Sequence, residues 1–232
     1  MSNDGKKRLI IVGIGETAEL ATDYFTHDSC YEICAYAAER GYLEKKLPEK
    51  SFLGCPVLPI ENIKDKYPPS EYEAFVAMAY GHLNHDRAEM YEKIKKIGYR
   101  LASYVSSYAF VASETHVGEN CFILENNVIQ RNVRIGNNVI LWSGNHIGHR
   151  TVIENHVFLS SHVAVSGFCH IGEYSFLGIN SCLGDGVTVA RNNFIGGGVA
   201  LMKDTKENEV YRVPVLKPER LSSKMVFGFS DK

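Results

Sequence analysis

From Val105 to Leu201 an aliphatic residue returns at every sixth position, seventeen times in succession without an insertion or a slip. Val, Ile and Leu together make up about a quarter of residues in ordinary chains, so chance does not produce such a run. Glycine often follows the aliphatic residue, as at Gly118, Gly136, Gly148, Gly172, Gly178, Gly184 and Gly196. The fourth residue after it is small or aliphatic, as at Val139, Thr151, Val157, Val163, Cys169, Ser175, Ser181, Val187 and Val199. A six-residue unit of this kind forms one flat face and a turn, and three units close a triangular coil. The aliphatic residues point to the axis and stack into one continuous core. No proline occurs between Ser70 and Val213, as coil-to-coil pairing of nearly every N–H requires. The pattern predicts an all-β, left-handed parallel β-helix of nearly six coils.

The preceding residues follow a different rule. RLIIVG (8–13) is a short apolar run of the kind that forms a buried parallel strand, and GIGETAELATDYF gives a helix with one apolar face. YEICAYAAE (31–39) and YEAFVAMAYG (72–81) read as further strands, with a Pro-bearing loop between them. DRAEMYEKIKKIGY reads as a helix ending at Gly98. This βαβ order predicts a small Rossmann-like α/β domain over 1–103, the β-helix over 104–203, and a cap or tail over 204–232 that covers or leaves the open end.

A formal net charge of −2 gives no electrostatic reason to expect nucleic acid or an anionic membrane as partner. The apolar run near the N-terminus is too short for a signal-peptide core or a membrane span. Six scattered cysteines without a CxxC suggest reduced thiols, and the expected location is cytoplasmic.

The order of these parts, with GIG at Gly13–Gly15, GINSC at Gly178–Cys182 and IGGG at Ile195–Gly198, resembles the bacterial hexapeptide-repeat sugar acetyltransferases. That group holds the sialic-acid O-acetyltransferases and the N-acetyltransferases of nucleotide-linked amino sugars of the bacillosamine and perosamine types. The resemblance implies a homotrimer with active sites between subunits, acetyl-CoA in the groove between neighbouring prisms, and a histidine base. It places the base at His149 and the acetyl-CoA groove at Ile179 and Gly197, with Gly178 and Gly196 beside them. An acidic residue usually follows the base in the family; here Arg150 does. A second family histidine aligns with Phe158, which leaves His156 or His162 as substitutes, and the family's GVPAK close is altered to RVPVLK.

The chemistry asks for these residue types on its own account. Acetyl transfer from a thioester needs a base that titrates near working pH, and backbone N–H groups, often in glycine-rich turns, to hold the oxyanion. A sugar amine is already nucleophilic, whereas a hydroxyl needs a histidine oriented by a carboxylate. With Arg150 in the acid's place, Glu154 is the candidate orienter. His146 is placed to share the groove of His149. Gly13, Ile14 and Gly15, with Tyr80 and Gly81 at the end of the third strand, are the candidates for a nucleotide-linked sugar, its phosphates at the helix N-terminus. The resemblance implies an acidic residue after the second strand to hold the nucleotide, and Glu39 is the one nearby. Trp142 is a candidate for stacking on a substrate ring or packing between subunits.

His146 and His149 form an HxxH pair, but on an extended coil their side chains diverge and no third ligand is spaced to help, so no metal is expected. The reading is an acetyl-CoA-dependent N-acetyltransferase of a nucleotide-linked amino sugar. A sugar O-acetyltransferase is the close alternative, and a non-catalytic or metal-dependent hexapeptide protein is another. A nucleotidyl-type enzyme would need a fuller glycine-rich phosphate loop than Gly13–Gly15 provides.

Overall fold

The computed structural model describes residues 5–46 and 51–230. The α/β part comprises β1 (Lys7–Val12), α1 (Glu16–His27), β2 (Tyr31–Ala38), α2 (Arg40–Lys46), β3 (Ser51–Phe52), β4 (Cys55–Pro59), α3 (Ile63–Lys66), β5 (Glu73–Val76) and α4 (His85–Ile97). Its sheet has the order β3-β4-β2-β1-β5, parallel except for the β3–β4 pair. The buried runs Leu9–Val12, Ala35–Ala38 and Ala74–Val76 are covered on both faces, as the unbroken apolar reading of β1 implies.

Two expectations need correction here. The stretch anticipated as a Pro-bearing loop contains β4 and α3, because Val57, Ile60, Ile63 and Tyr67 all have a core to enter. The third strand ends at Val76, five residues early. The chain then turns through His82, Leu83 and Asn84, three consecutive left-handed residues with φ of 44°, 53° and 70°. Tertiary bonds hold that turn: the buried Asn84 amide donates to the carbonyls of Tyr174 and Ser175, 2.9 and 3.3 Å away.

From Tyr104 to Leu201 the chain is a prism of two-residue strands in three parallel sheets, each strand paired with those eighteen residues away, as Ile129 is with Ile147. We number the faces and edges in chain order. The first face carries Tyr104, Phe122, Ile140, Phe158, Phe176 and Phe194 outward; the second carries Phe110, Val128, His146, Ala164 and Cys182; the third carries His116, Arg134, Val152, His170 and Thr188. The first edge joins first face to second, and so on round the coil. Repeat residues from Ile123 to Leu201 are buried on the axis. Val111 and Val117 are only partly buried and Val105 is exposed, because the first coil has no coil before it to cover its core. After Leu201 the tail adds one more rung, Val210–Tyr211 against Phe194–Ile195, and then leaves the prism as an exposed arm with a short α5 (Ser223–Phe227).

Every corner from residue 120 to 198 turns through one left-handed residue, three positions after the aliphatic one. Nine of these fourteen are Asn or Gly, which adopt that conformation at least cost. The other five are consecutive: Arg150, His156, His162, Phe168 and Tyr174. Each costs on the order of 1 kcal/mol, and contacts down the edges offset it. His156 stacks on Tyr174 at 4.9 Å, and Tyr174 stacks on His85 at 4.2 Å. The Arg150 guanidinium lies 5.9 Å over the Phe168 ring.

The α/β part packs on the first face, where Tyr104, Phe122, Ile140, Phe158 and Phe176 are buried and Phe158, Phe176 and Phe194 form a stack with 5.3 and 5.0 Å spacings. On the third edge an amide ladder runs across the junction. Asn120 takes the Val76 N–H and donates to Asn138, which donates to His156 Nδ1 at 2.9 Å. His156 is therefore a buried, neutral junction residue. Burial pushes its imidazole down to about 4, and the charges of Arg87 and His85 add to the effect. Since the unfolded chain takes up this proton near pH 6.5 and the folded one does not, stability is full above that value. It falls as pH drops toward 4, by up to about 3 kcal/mol. His156→Asn, with a residue suited to the left-handed corner, should flatten the pH dependence of urea-unfolding free energy between pH 6.5 and 4.5. Equal slopes in variant and wild type would show that His156 does not contribute it.

Candidate functional site

The sequence-predicted residues gather at three separate places. Gly13, Ile14, Gly15, Glu39 and Gly81 line one cleft of about 390 Å³, together with Glu16, Thr17, Tyr42, Met78, Asp86 and Met90. It opens at the N-terminus of α1, whose N-cap is Gly15 with no side-chain cap, so the first helical N–H groups remain available to an anion. Among the described residues no lysine or arginine lines the cleft. Glu39 is engaged with Lys93 at 2.8 Å, and Asp86 with His82 at 2.8 Å. Tyr80 stands beside the cleft, half exposed, with its ring on Phe158 and Phe176 at 5.2 and 4.8 Å. Phe158, where the resemblance would supply a histidine, is thus buried under the α/β part.

The two glycines of GIG do different work. Gly13 has φ of +133°, and a Cβ there would lie 2.6 Å from the Ala77 carbonyl oxygen, so strand β1 turns only because this residue has none. A Cβ at Gly15 meets nothing within 4 Å.

His149 lies on the second edge, exposed. Its backbone N–H donates to Gln130 Oε1 at 2.9 Å, and the same oxygen is 3.2 Å from its Nδ1. The ring sits over Gly167, where a Cβ would come within 2.7 Å of Cε1, and edge-on to Phe168 at 4.9 Å. Glu154, the expected orienter, is on the third edge and pairs with His170 at 2.9 Å. Its backbone belongs to the next turn of the coil, so it points away from His149 and the partner is Gln130, one coil earlier. The absolute sequence distance of nineteen residues hid that contact; the eighteen-residue register of the coils was the signal that could have found it. His146 is exposed on the second face, between the first and second edges.

Gly178, Ile179, Gly196 and Gly197 stack on the first edge, with Ile179 half exposed and its Cγ2 3.1 Å from where a Gly197 Cβ would stand. The N–H groups of Gly178, Gly196 and Gly198 are all spent on neighbouring coils, accepted by Ile195, Tyr211 and Ile179. Of this glycine set the Gly197 N–H alone is left to meet an oxyanion. Trp142 shares this edge, half-buried and tilted against Phe158 at 6.4 Å, and His162 follows one coil later, its ring over Gly144. Within one chain the second face separates this edge from His149. Among the described residues no group of three or more His, Cys, Asp or Glu is placed to hold a metal ion, and no helix is long and apolar enough to cross a membrane.

Fold and repeat together define a hexapeptide-repeat protein of the left-handed β-helix class behind a small α/β part. Residues 114–149 match the family model described as bacterial transferase hexapeptide (six repeats). Among solved structures, the chain is similar to the acetyltransferase domain of PglB from Neisseria gonorrhoeae FA1090, with a TM-score of 0.77 at 20% identity over 88% of this chain and 96% of that one. A structure of that domain in complex with acetyl coenzyme A matches equally, with a TM-score of 0.77 at 19% identity over 89% and 96%. Perosamine N-acetyltransferase from Caulobacter crescentus, solved with CoA and GDP-perosamine, matches with a TM-score of 0.67 at 21% identity over 87% and 91%.

The glycine assignments are separable by experiment. Gly13→Ala should lower stability by about 2 kcal/mol or more in urea unfolding, since neither φ nor space admits a side chain. Gly15→Ala should unfold within about 0.5 kcal/mol of wild type. Equal losses in the two variants would refute the distinction.

Proposed function

We propose that this chain is an acetyl-CoA-dependent acetyltransferase that acylates the amino group of a nucleotide-linked amino sugar, as a homotrimer in which neighbouring copies complete each site. The observation that carries this reading is His149, exposed on a prism edge with its ring held by Gln130 and seated over Gly167. The cleft at Gly13–Gly15 supports a nucleotide-linked acceptor, because an uncapped helix N-terminus suits a diphosphate. Likeness in fold to proteins solved with acetyl coenzyme A and with GDP-perosamine supports the donor and the acceptor class.

In the reaction the sugar amine attacks the thioester carbonyl carbon and a C–N bond forms. His149 takes the proton released from nitrogen. The C–S bond then breaks, and the proton passes from the imidazolium to the sulfur of the departing CoA thiolate, leaving amide and free thiol. The Gly197 N–H, from a neighbouring copy, is the donor available for the oxyanion.

One observation favours a second reading. His170 with Glu154 on the exposed third side is a carboxylate-oriented histidine, the arrangement a hydroxyl acceptor needs, and it supports sugar O-acetylation. Thiol release from acetyl-CoA, measured against nucleotide-linked 3-amino and 4-amino sugars and their hydroxyl counterparts, separates the two. On the first reading His149→Ala loses at least about 100-fold in kcat/KM and His170→Ala keeps the wild-type rate; the reverse pattern supports the second.

The trimer makes a further demand. Since His149 and Gly197 lie on different edges, mixed trimers of His149→Ala and Gly197→Trp chains, each inactive alone, should regain activity through sites that draw one intact residue from each chain. Absence of recovery in verified mixed trimers would place both residues' contributions within one copy.

A further inference from the structure

We propose that Gln130 is the positioning residue of this base: it holds His149 as the Nδ1–H tautomer with Nε2 as free acceptor, and as a neutral amide it fits the site to an amine rather than a hydroxyl. This rests on the reading of His149 as base.

The tautomer follows from what each atom can do. A backbone N–H only donates, so the Gln130 atom 2.9 Å from the His149 N–H is the amide oxygen. That oxygen only accepts. It also lies 3.2 Å from Nδ1, so Nδ1 must carry the ring proton; a bare Nδ1 would set two lone pairs against each other. In a neutral imidazole the remaining lone pair is then on Nε2. Gln130 is well placed to impose this. Its own N–H donates to the Ile147 carbonyl at 3.0 Å, and its carbonyl accepts from Thr115 Oγ1 at 3.3 Å. The imidazole is held between Gln130 in the coil before it and Gly167 in the coil after it, with Phe168 at its edge.

The acceptor class follows from charge. An orienting carboxylate stabilises the imidazolium as it forms and so strengthens the base; an amide fixes the ring and adds no charge. Among the described residues no carboxylate is bonded to His149. On its edge Glu114 is bound to Arg131, Asp185 stands one coil beyond Gly167, and Arg150 is the next residue in the chain; Glu154 is held by His170. Such a base suffices for an amine, which becomes strongly acidic as it attacks. A hydroxyl must lose its proton during attack and needs the stronger base.

Histidine 15N spectra and kinetics together test this. The His149 signal is identified by its loss in His149→Ala. At neutral pH the wild type should show protonated Nδ1, and Gln130→Leu should move the population toward Nε2–H. A wild-type Nε2–H tautomer would overturn the proposal whatever the kinetics. Gln130→Leu should lower kcat on the amino sugar about 10- to 100-fold with both KM values within about twofold. An unchanged kcat would overturn the positioning role, and the KM values and an unchanged thermal melt exclude misfolding as the cause. Gln130→Glu should keep amine transfer, move the acid limb of the kcat/KM profile to higher pH, and add transfer to the hydroxyl analogue. Wild-type transfer to the hydroxyl analogue as fast as to the amine would overturn the acceptor assignment. Should His149→Ala keep full rate, the base reading fails while the tautomer measurement still decides the Gln130 contact.

Discussion

The relative placement of the α/β part and the prism depends on one buried cation. Arg87, on α4, is fully buried and has no carboxylate partner among the described residues. Its guanidinium donates to the Ala79 carbonyl and Asn84 Oδ1 on the turn after β5, to Asn138 Oδ1 and carbonyl, and to the carbonyls of His156 and Val157. A fixed fork of five N–H groups can satisfy acceptors from three segments at once, which a lysine cannot do. Burial lowers its pKa to about 9, so it stays charged at neutral pH and its hydrogen bonds remain charge-assisted. The turn that places Tyr80 and Gly81 beside the cleft is thereby tied to the same coils that carry the left-handed histidines. Removing the guanidinium would leave buried carbonyls without donors, each costing on the order of 1–3 kcal/mol, so the junction is over-determined around this one side chain.

That rigidity explains how the prism tolerates five consecutive costly corners. Asn and Gly fill the left-handed position where nothing else acts on it; between Arg150 and Tyr174 the position holds long side chains that reach other groups. His156 and Tyr174 on the third edge meet His85 and Tyr91 of α4. Arg150 and Phe168 on the second edge bracket His149. The strained stretch therefore coincides with the junction on one side and with the candidate base on the other. A uniform Asn ladder would be more stable locally but would present neither.

The repeat was legible because its constraint is one-dimensional: burial on the axis and a turn every six residues act within a unit, so period and register can be read directly. The first strands and helices of the α/β part were legible for a similar reason, through unbroken apolar runs and a helical stripe. What could not be read is whatever joins distant segments. Arg87 in DRAEMYEKIKK looks like one more charge on a solvated helix face, and only the docking of that face on the third edge buries it. His156, which the resemblance leaves as a substitute for the family's second histidine, is the same case: it is buried at the junction. Gln130 shows only through the coil register, because its partner lies in the next coil, whereas Glu154 stands close to His149 in sequence and reads as an orienter. Five residues along such a coil lead round a corner to another side of the prism; eighteen lead to a neighbour.

The same geometry bears on why a chain of this kind would need copies of itself. Edges of a triangular prism run parallel with a face between them, so the proposed base on the second edge and the proposed glycine donor on the first do not meet on one small acyl group within a single chain. In the proposed trimer two prisms would stand side by side, with the second edge of one against the first edge of the next. A repeat that reads out one residue type per coil position can tune each edge independently, and the outward residues of the second face, which separates the two edges, are the small or apolar Val128, Ala164 and Cys182 around His146. Chemistry assembled this way leaves each chain's edges free to carry rigid, strained side chains, because no single fold has to bend round the substrate.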